Sequence, residues 1–189
     1  VFAVLPATGE RKGMFVTVIG GPGGSGFLSA DNYTSYFDPR ITENFDVVFF
    51  DQRGINQSSG LFCTQATADF YRSDTNAATP EGEEHLLDVT KTFVDDCIAE
   101  IGETDLLPYL DTVQAVEDLE VFRSLMGDEK FWLYGESYGT QFSQFYAASH
   151  SDRIAGLILD GVVDLTQTDI EFLKEQAAAF NDVLVATLE

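Results

Sequence analysis

Four short apolar runs bounded by turn residues organise the chain: Met14–Ile19, Phe45–Phe50, Phe131–Tyr134 and Leu157–Leu159. Runs this short and continuous suit strands buried on both faces of a parallel sheet; a strand with one wet face would alternate. Between the second and third, Val113, Val116, Leu119, Phe122 and Met126 recur at helical spacing, which predicts a helix over Asp111–Met126 stopped by Gly127. A second helix is predicted directly after Ser137, with Phe142, Phe145 and Tyr146 turned inward. Further helical segments are expected around Phe93–Ile101 and from Ile170 to Leu188, while the polar stretch Ser73–Glu84 reads as an exposed loop. Strands and helices alternating in this way predict an α/β fold with a doubly wound, mostly parallel sheet.

Composition narrows the class without naming the chemistry. The 189 residues are 44% hydrophobic, enough to bury one good core. No apolar stretch approaches the ~20 residues that cross a bilayer, so no membrane span is expected. Ten basic against 32 acidic residues leave a net charge of −22, a surface that repels nucleic acid and anionic membranes. The first residue is Val1 and no signal-peptide pattern follows it, so a processed or trimmed start is expected.

Candidate chemistry lies where apolar runs end. Gly135-Glu136-Ser137-Tyr138-Gly139-Thr140 sits between the third run and a helical stretch, the context of a G-x-S-x-G nucleophile elbow. A side chain at Gly135 or Gly139 would collide with the neighbouring strand or helix. Gly20-Gly21-Pro22-Gly23-Gly24-Ser25-Gly26 follows the first run and must be a loop. It lacks the Lys-Ser/Thr ending of a phosphate-binding loop, and its proline removes an amide donor. An oxyanion hole is the better use: Tyr138 N–H would be one donor and Gly21 N–H the other, with Gly23 and Gly24 as alternatives.

A third motif, Asp51-Gln52-Arg53-Gly54, follows the second run. Taken in order, the Gly-Gly-Pro-Gly-Gly-Ser-Gly, Asp-Gln-Arg-Gly and Gly-Glu-Ser-Tyr-Gly-Thr motifs resemble the proline iminopeptidase and tripeptidyl aminopeptidase family of α/β-hydrolases. The secreted actinobacterial tripeptidyl branch is the closer likeness, and it runs from Gly13 to about Asp164. Ile19 departs from the histidine usual in iminopeptidases, which favours that branch. The resemblance implies that residues 1–164 form the N-terminal part of the α/β-hydrolase core and that 165–189 begin a helical lid. It implies a serine peptidase that acts at a free N-terminus without metal or organic cofactor. An esterase or small-amide hydrolase, or an inactive fragment, are the rival readings.

In this fold the triad runs Ser, then Asp or Glu, then His. Of the two histidines, His85 precedes Ser137 in an acidic surface segment, and His150 stands at the far end of the helix that Ser137 begins. The acid and histidine are therefore expected from a companion C-terminal segment or chain. Asp160 and Asp164 are weaker alternatives for the acid, and Asp51 with Arg53 reads as a structural turn. Glu136 resembles the glutamate with which serine carboxypeptidases recognise a terminal carboxyl group, and equally suits a buried hydrogen-bonding role. Cys63 and Cys97 have no neighbours at metal-ligand spacing. The exported branch resembled here implies a Cys63–Cys97 disulfide and a secreted or cell-envelope location; free thiols would point to the cytoplasm.

Overall fold

All four apolar runs form strands in the computed structural model, which describes residues 1–102 and 104–188. The strands are β1 Phe2–Leu5, β2 Met14–Val18, β3 Asp46–Phe50, β4 Phe131–Glu136 and β5 Ile154–Asp160. The helices are α1 Gly26–Tyr36, α2 Pro39–Asn44, α3 Thr64–Arg72, α4 Pro80–Ile101, α5 Thr112–Met126, α6 Tyr138–Ser149 and α7 Asp169–Leu188. The sheet order is β1-β3-β2-β4-β5, with β1 antiparallel to β3 and every other pairing parallel. Every residue of β2 and β3 is buried, as central strands covered on both faces must be.

Two compact units divide the chain: residues 2–50 with 116–189, and residue 1 with 51–115. The first holds the sheet. Its Arg11 reaches Asp46 at the start of β3 (Nε to Oδ2, 2.6 Å) and Asp128 before β4 (Nη2 to Oδ2, 2.5 Å). Asp46 also accepts from Ala7 N–H at 2.9 Å, so one carboxylate fixes the turn leading into β2. A polar network lies under α5 and α6. Glu120 accepts from Arg123 Nη2 at 2.6 Å and from the fully buried Tyr146 hydroxyl at 2.6 Å, and Arg123 also donates to the Asp128 carbonyl.

The second unit contains α3 and α4. Cys63, the residue before α3, is bonded to Cys97 of α4 across a Cα–Cα distance of 4.9 Å. Cys63 offers no side-chain cap to α3. Glu100 replaces it by accepting from Gln65 and Ala66 N–H, each at 3.1 Å. Phe70 and Phe93 pack at 5.2 Å between the same two helices.

Several expectations change. The loop over Ser73–Glu84 ends at Thr79, which caps α4 by accepting from Gly82 N–H at 3.1 Å. Pro80 at the first helical position and Glu81 and Glu83 in the first turn complete an N-terminal signature that outweighs the polarity of the stretch. Phe145 does not turn inward but stays 39% exposed, and Val113 and Met126 are exposed on α5. The buried stripe of α5 is instead Ala115, Val116, Leu119 and Arg123, because the Glu120 partnership makes a polar residue the better one to bury. Strand β4 extends beyond its apolar run through Gly135 to Glu136, and β5 is an edge strand with Leu157 and Ile158 partly exposed. No helix among the described residues is long and apolar enough to cross a membrane.

Two outcomes follow from these contacts. Opening the Cys63–Cys97 loop, with both residues changed to serine, should cost about 3–4 kcal/mol by denaturant titration in the chain-entropy account. Two alkylatable thiols in freshly isolated protein would refute the bridge. The Glu120 carboxyl is held at about 2, against an ordinary 4.5, by the Arg123 hydrogen bond in opposition to burial, with Tyr146 assisting. Since the folded value lies below the unfolded one, this stabilisation is complete above pH 4.5 and is lost as pH falls toward 2. Glu120→Gln should therefore lower Tm at neutral pH, and its gap from wild type should close on acidification.

Candidate active site

Ser137 occupies the tight connection from β4 to α6 at φ 54°, ψ −120°. A left-handed conformation is costly for a residue with a Cβ and persists only where its surroundings impose it. Here they do. Ser137 N–H donates to the Asp160 carbonyl at 2.8 Å, which ties the turn to β5. The Ser137 carbonyl accepts from Thr140 N–H at 2.9 Å and from the Thr140 hydroxyl at 2.7 Å. That fully buried hydroxyl accepts in turn from Val163 N–H at 2.9 Å, so the loop after β5 hangs on the same side chain. Gln144 Nε2 reinforces it by donating to the Val163 carbonyl at 3.0 Å.

The two elbow glycines are required by distance. A Cβ at Gly139 would stand 2.0 Å from the Val18 carbonyl oxygen, and one at Gly135 would stand 2.3 Å from the Gly139 carbonyl oxygen. The helix therefore starts in direct backbone contact with the sheet. Its first amides face the Ser137 end, where the helix dipole favours negative charge.

The glycine-rich loop lies against the serine. A Cβ on Gly20 would come within 3.0 Å of Ser137 Cβ and 3.5 Å of its Oγ. Gly21 follows at φ 137° with a cis peptide to Pro22, a conformation closed to a side chain because a Cβ there would meet Gly23 N at 2.7 Å. Ser25 ends the loop by capping α1, accepting from Leu28 N–H at 3.2 Å. Gly21, Pro22, Ser137 and Tyr138 share the wall of one cleft of about 560 Å³. Gly23 and Gly24 are absent from that wall, which separates Gly21 from its alternatives.

The cleft continues over residues that periodicity assigned elsewhere or passed over: Gln141 and Phe145 from α6, Leu165, and Thr168 and Phe172 at the start of α7. Phe145 is the informative case. At a position that sequence assigned to the core, its partial exposure gives the cleft an apolar wall. Asp164 also borders the cleft, but it accepts from Thr166 N–H at 2.8 Å and Thr166 Oγ1 at 2.7 Å, bonds that lower its pKa. Asp160 accepts from the Tyr134 hydroxyl at 2.9 Å, and burial together with that bond pushes Tyr134 up to about 12. Glu136 stands across from Asp160 in the β4–β5 register and lines a different cavity from the Ser137 cleft.

Neither histidine adjoins Ser137 within its own unit. His150 caps the C-terminal end of α6 through its backbone, and its Nε2 lies 3.0 Å from Glu117 Oε1. A 12-residue helix separates it from the serine by about 18 Å. His85 is exposed on α4 in the other unit. Asp51 and Arg53 belong to that unit too: Asp51 Oδ2 accepts from Gln57 N–H at 3.0 Å and from Asn56 Nδ2 at 3.2 Å, while Arg53 donates to the Tyr109 carbonyl at 3.4 Å. Both serve turn and loop geometry.

An alternating sheet, a strained serine at a strand-to-helix turn and a glycine loop against it define an architecture, and the comparisons agree. The chain belongs to the alpha/beta hydrolase fold family, whose sequence model matches residues 14–185. It is 36% identical over 183 residues to the serine protease Hip1 of Mycobacterium tuberculosis, covering 94% of this chain and 34% of that protein. It is 27% identical over 165 residues to the tripeptidyl aminopeptidase of Streptomyces coelicolor, covering 85% of this chain and 30% of the relative. The chain thus spans about a third of the length of the curated relatives it matches. Among solved structures, a marine microorganism esterase superposes with a TM-score of 0.50 at 17% identity, covering 96% of this chain and 50% of the other.

Thr140 offers a test of how the elbow is held. Thr140→Val keeps the volume, removes the hydroxyl that joins Ser137 to Val163 and leaves the Val163 amide without that acceptor. Stability measured by urea denaturation should fall by about 1–3 kcal/mol.

Proposed function

We propose that Ser137 is the nucleophile of a serine hydrolase that cleaves peptides near a free N-terminus. The observation that carries this reading is the serine itself, held at positive φ between β4 and α6 with the Gly20-Gly21 loop against its Oγ. A main-chain strain of this kind is maintained at a cost of about 1–3 kcal/mol, which a structural turn could avoid by using glycine. The relatives named serine protease and tripeptidyl aminopeptidase support a peptide substrate, while a relative named carboxylesterase B, 33% identical over 186 residues, keeps the ester as the second reading.

In the proposed mechanism a histidine accepts the Ser137 proton as Oγ attacks the scissile carbonyl. The Tyr138 and Gly21 amides take the negative charge that develops on the carbonyl oxygen, each contributing about 3–4 kcal/mol to the transition state. The carbonyl re-forms as the C–N bond breaks and the histidine returns the proton to the leaving amine. Water then repeats the sequence on the acyl-enzyme and restores the hydroxyl. The histidine and its acid come from a companion C-terminal segment or chain, a reading supported by the engagement of His150 with Glu117 at the far end of α6. Residues 1–164 act as the N-terminal part of the catalytic core, and 165–189, with α7, as the start of a lid over the cleft. The Cys63–Cys97 bridge supports an oxidising, secreted or envelope location.

A fluorophosphonate probe on the intact protein should label Ser137, and Ser137→Ala should abolish both labelling and peptide turnover, with kcat down by roughly 10⁴-fold or more. N-acetylation of a tripeptide substrate should lower kcat/KM by about tenfold to a hundredfold, the loss of one charge-assisted contact to the ammonium. Labelling that persists in Ser137→Ala would remove the serine from this role. Turnover of simple esters with none of peptides would replace the peptidase by an esterase.

A further inference from the structure

A second cavity, of about 380 Å³, is lined by Asn32, Tyr33, Tyr36 and Phe37 of α1 and its C-cap and by Tyr134 and Glu136 of β4. Its walls are aromatic and steeply inclined to one another. Tyr33 and Phe37 lie 6.2 Å apart at 56°, Tyr33 and Tyr134 6.4 Å apart at 68°, and Phe37 and Tyr134 5.9 Å apart at 84°. Tyr134 is fixed from two sides, by its hydroxyl bond to Asp160 and by Phe15, whose ring stacks on it at 6.3 Å. Tyr36 is 80% exposed and forms the rim. Among the described residues Glu136 is the only charged side chain in the lining, and the residue across from it on β5 is another carboxylate, Asp160.

This combination selects by charge. Ring faces carry negative electrostatic potential and attract cations, with Tyr and Phe worth about 0.5–1 kcal/mol each when exposed and more when desolvated. A carboxylate among them supplies a counter-ion, and among the described residues no lysine or arginine lines the cavity to receive an anion. A terminal carboxyl group would meet Glu136 as a like charge. The carboxypeptidase-like use of Glu136 therefore fits this cavity poorly, and an ammonium group fits it well.

We propose that the cavity is a subsite for an organic ammonium group of the substrate, with Glu136 as counter-ion and Tyr33, Phe37 and Tyr134 as walls. The proposal rests on Ser137 as the nucleophile only in calling the bound molecule a substrate. Glu136 immediately precedes Ser137, so the carboxylate of this cavity stands one residue along the chain from the proposed nucleophile. The α-ammonium of a short acyl segment and the side chain of a lysine share this chemistry.

Calorimetric titration of the intact protein with benzylammonium, benzyl alcohol and benzoate tests the site without any turnover. Benzylammonium should bind about tenfold more tightly than benzyl alcohol, and benzoate should be the weakest. Glu136→Gln should abolish the advantage, Glu136→Asp should recover part of it, and Tyr36→Ala at the rim should reduce it roughly two- to fivefold. Equal binding of the three probes, preference for benzoate, or an advantage that survives Glu136→Gln would overturn the proposal.

In the hydrolytic arm, peptides are compared with free or acetylated N-termini and with lysine or norleucine near the scissile bond. A preference for the cation that collapses in Glu136→Gln identifies the source, terminal or side-chain, according to which pair shows it. Preferences in both pairs that Glu136→Gln leaves intact would sink the idea. The titration stands even if labelling removes Ser137 from catalysis, so the two readings fail separately.

Discussion

The backbone contact between α6 and the sheet is the constraint on which the rest of the site depends. Gly139 is pressed against the Val18 carbonyl and Gly135 against Gly139, so helix and strands approach closer than any side chain would permit. The chain must reverse within one residue to leave β4 and enter α6 at that separation, and the residue that absorbs the turn is Ser137. Its positive φ is thus the geometric remainder of the packing. The hydrogen bonds from Ser137 to Asp160 and from Thr140 to Ser137 and Val163 convert that remainder into a fixed position. Because β2 delivers the glycine loop at its own end, beside β4 in the sheet, the same contact brings Gly20 and Gly21 to the serine.

Much of this was legible in the sequence, for a physical reason. Central parallel strands are buried on both faces and must be written as uninterrupted apolar runs, so β2, β3 and β4 stand out. Glycines that permit backbone contact cannot be replaced by residues that disguise them, so both glycine motifs stand out as well. What stayed hidden follows from weaker rules. β1 is a four-residue edge strand whose partner, β3, is remote in sequence, and its half-exposed residues carry no strong pattern. The start of α4 at Pro80 was written in Thr79, Pro80 and two glutamates, but the surrounding polarity masked it.

Side-chain roles were harder to read. Phe145 has the hydrophobicity of a core residue and serves as a cleft wall, because a cleft near a helix N-terminus needs apolar surface as much as a core does. Arg123 has the polarity of a surface residue and is 7% exposed, since Glu120 and two carbonyls satisfy its donors. Periodicity measures the average preference of a side chain. It has no access to the partner that decides the individual case. The aromatic cavity was invisible for the same reason, as its rings come from α1 and β4 and no local pattern joins them.

The cap that Ser25 places on α1 carries a consequence for how such a site can change over evolutionary time. The glycine loop ends at the first turn of α1, and the last turn of that helix with its C-cap supplies Tyr33, Tyr36 and Phe37 to the aromatic cavity. One helix of 11 residues therefore joins the glycine loop at one end to the aromatic cavity at the other. A substitution that tilts α1 would alter both at once, so neither trait could drift freely. Substitutions on the outward-facing side chains of α1, such as Leu28 at 80% exposure, escape that coupling and form the neutral ground on which the helix can vary.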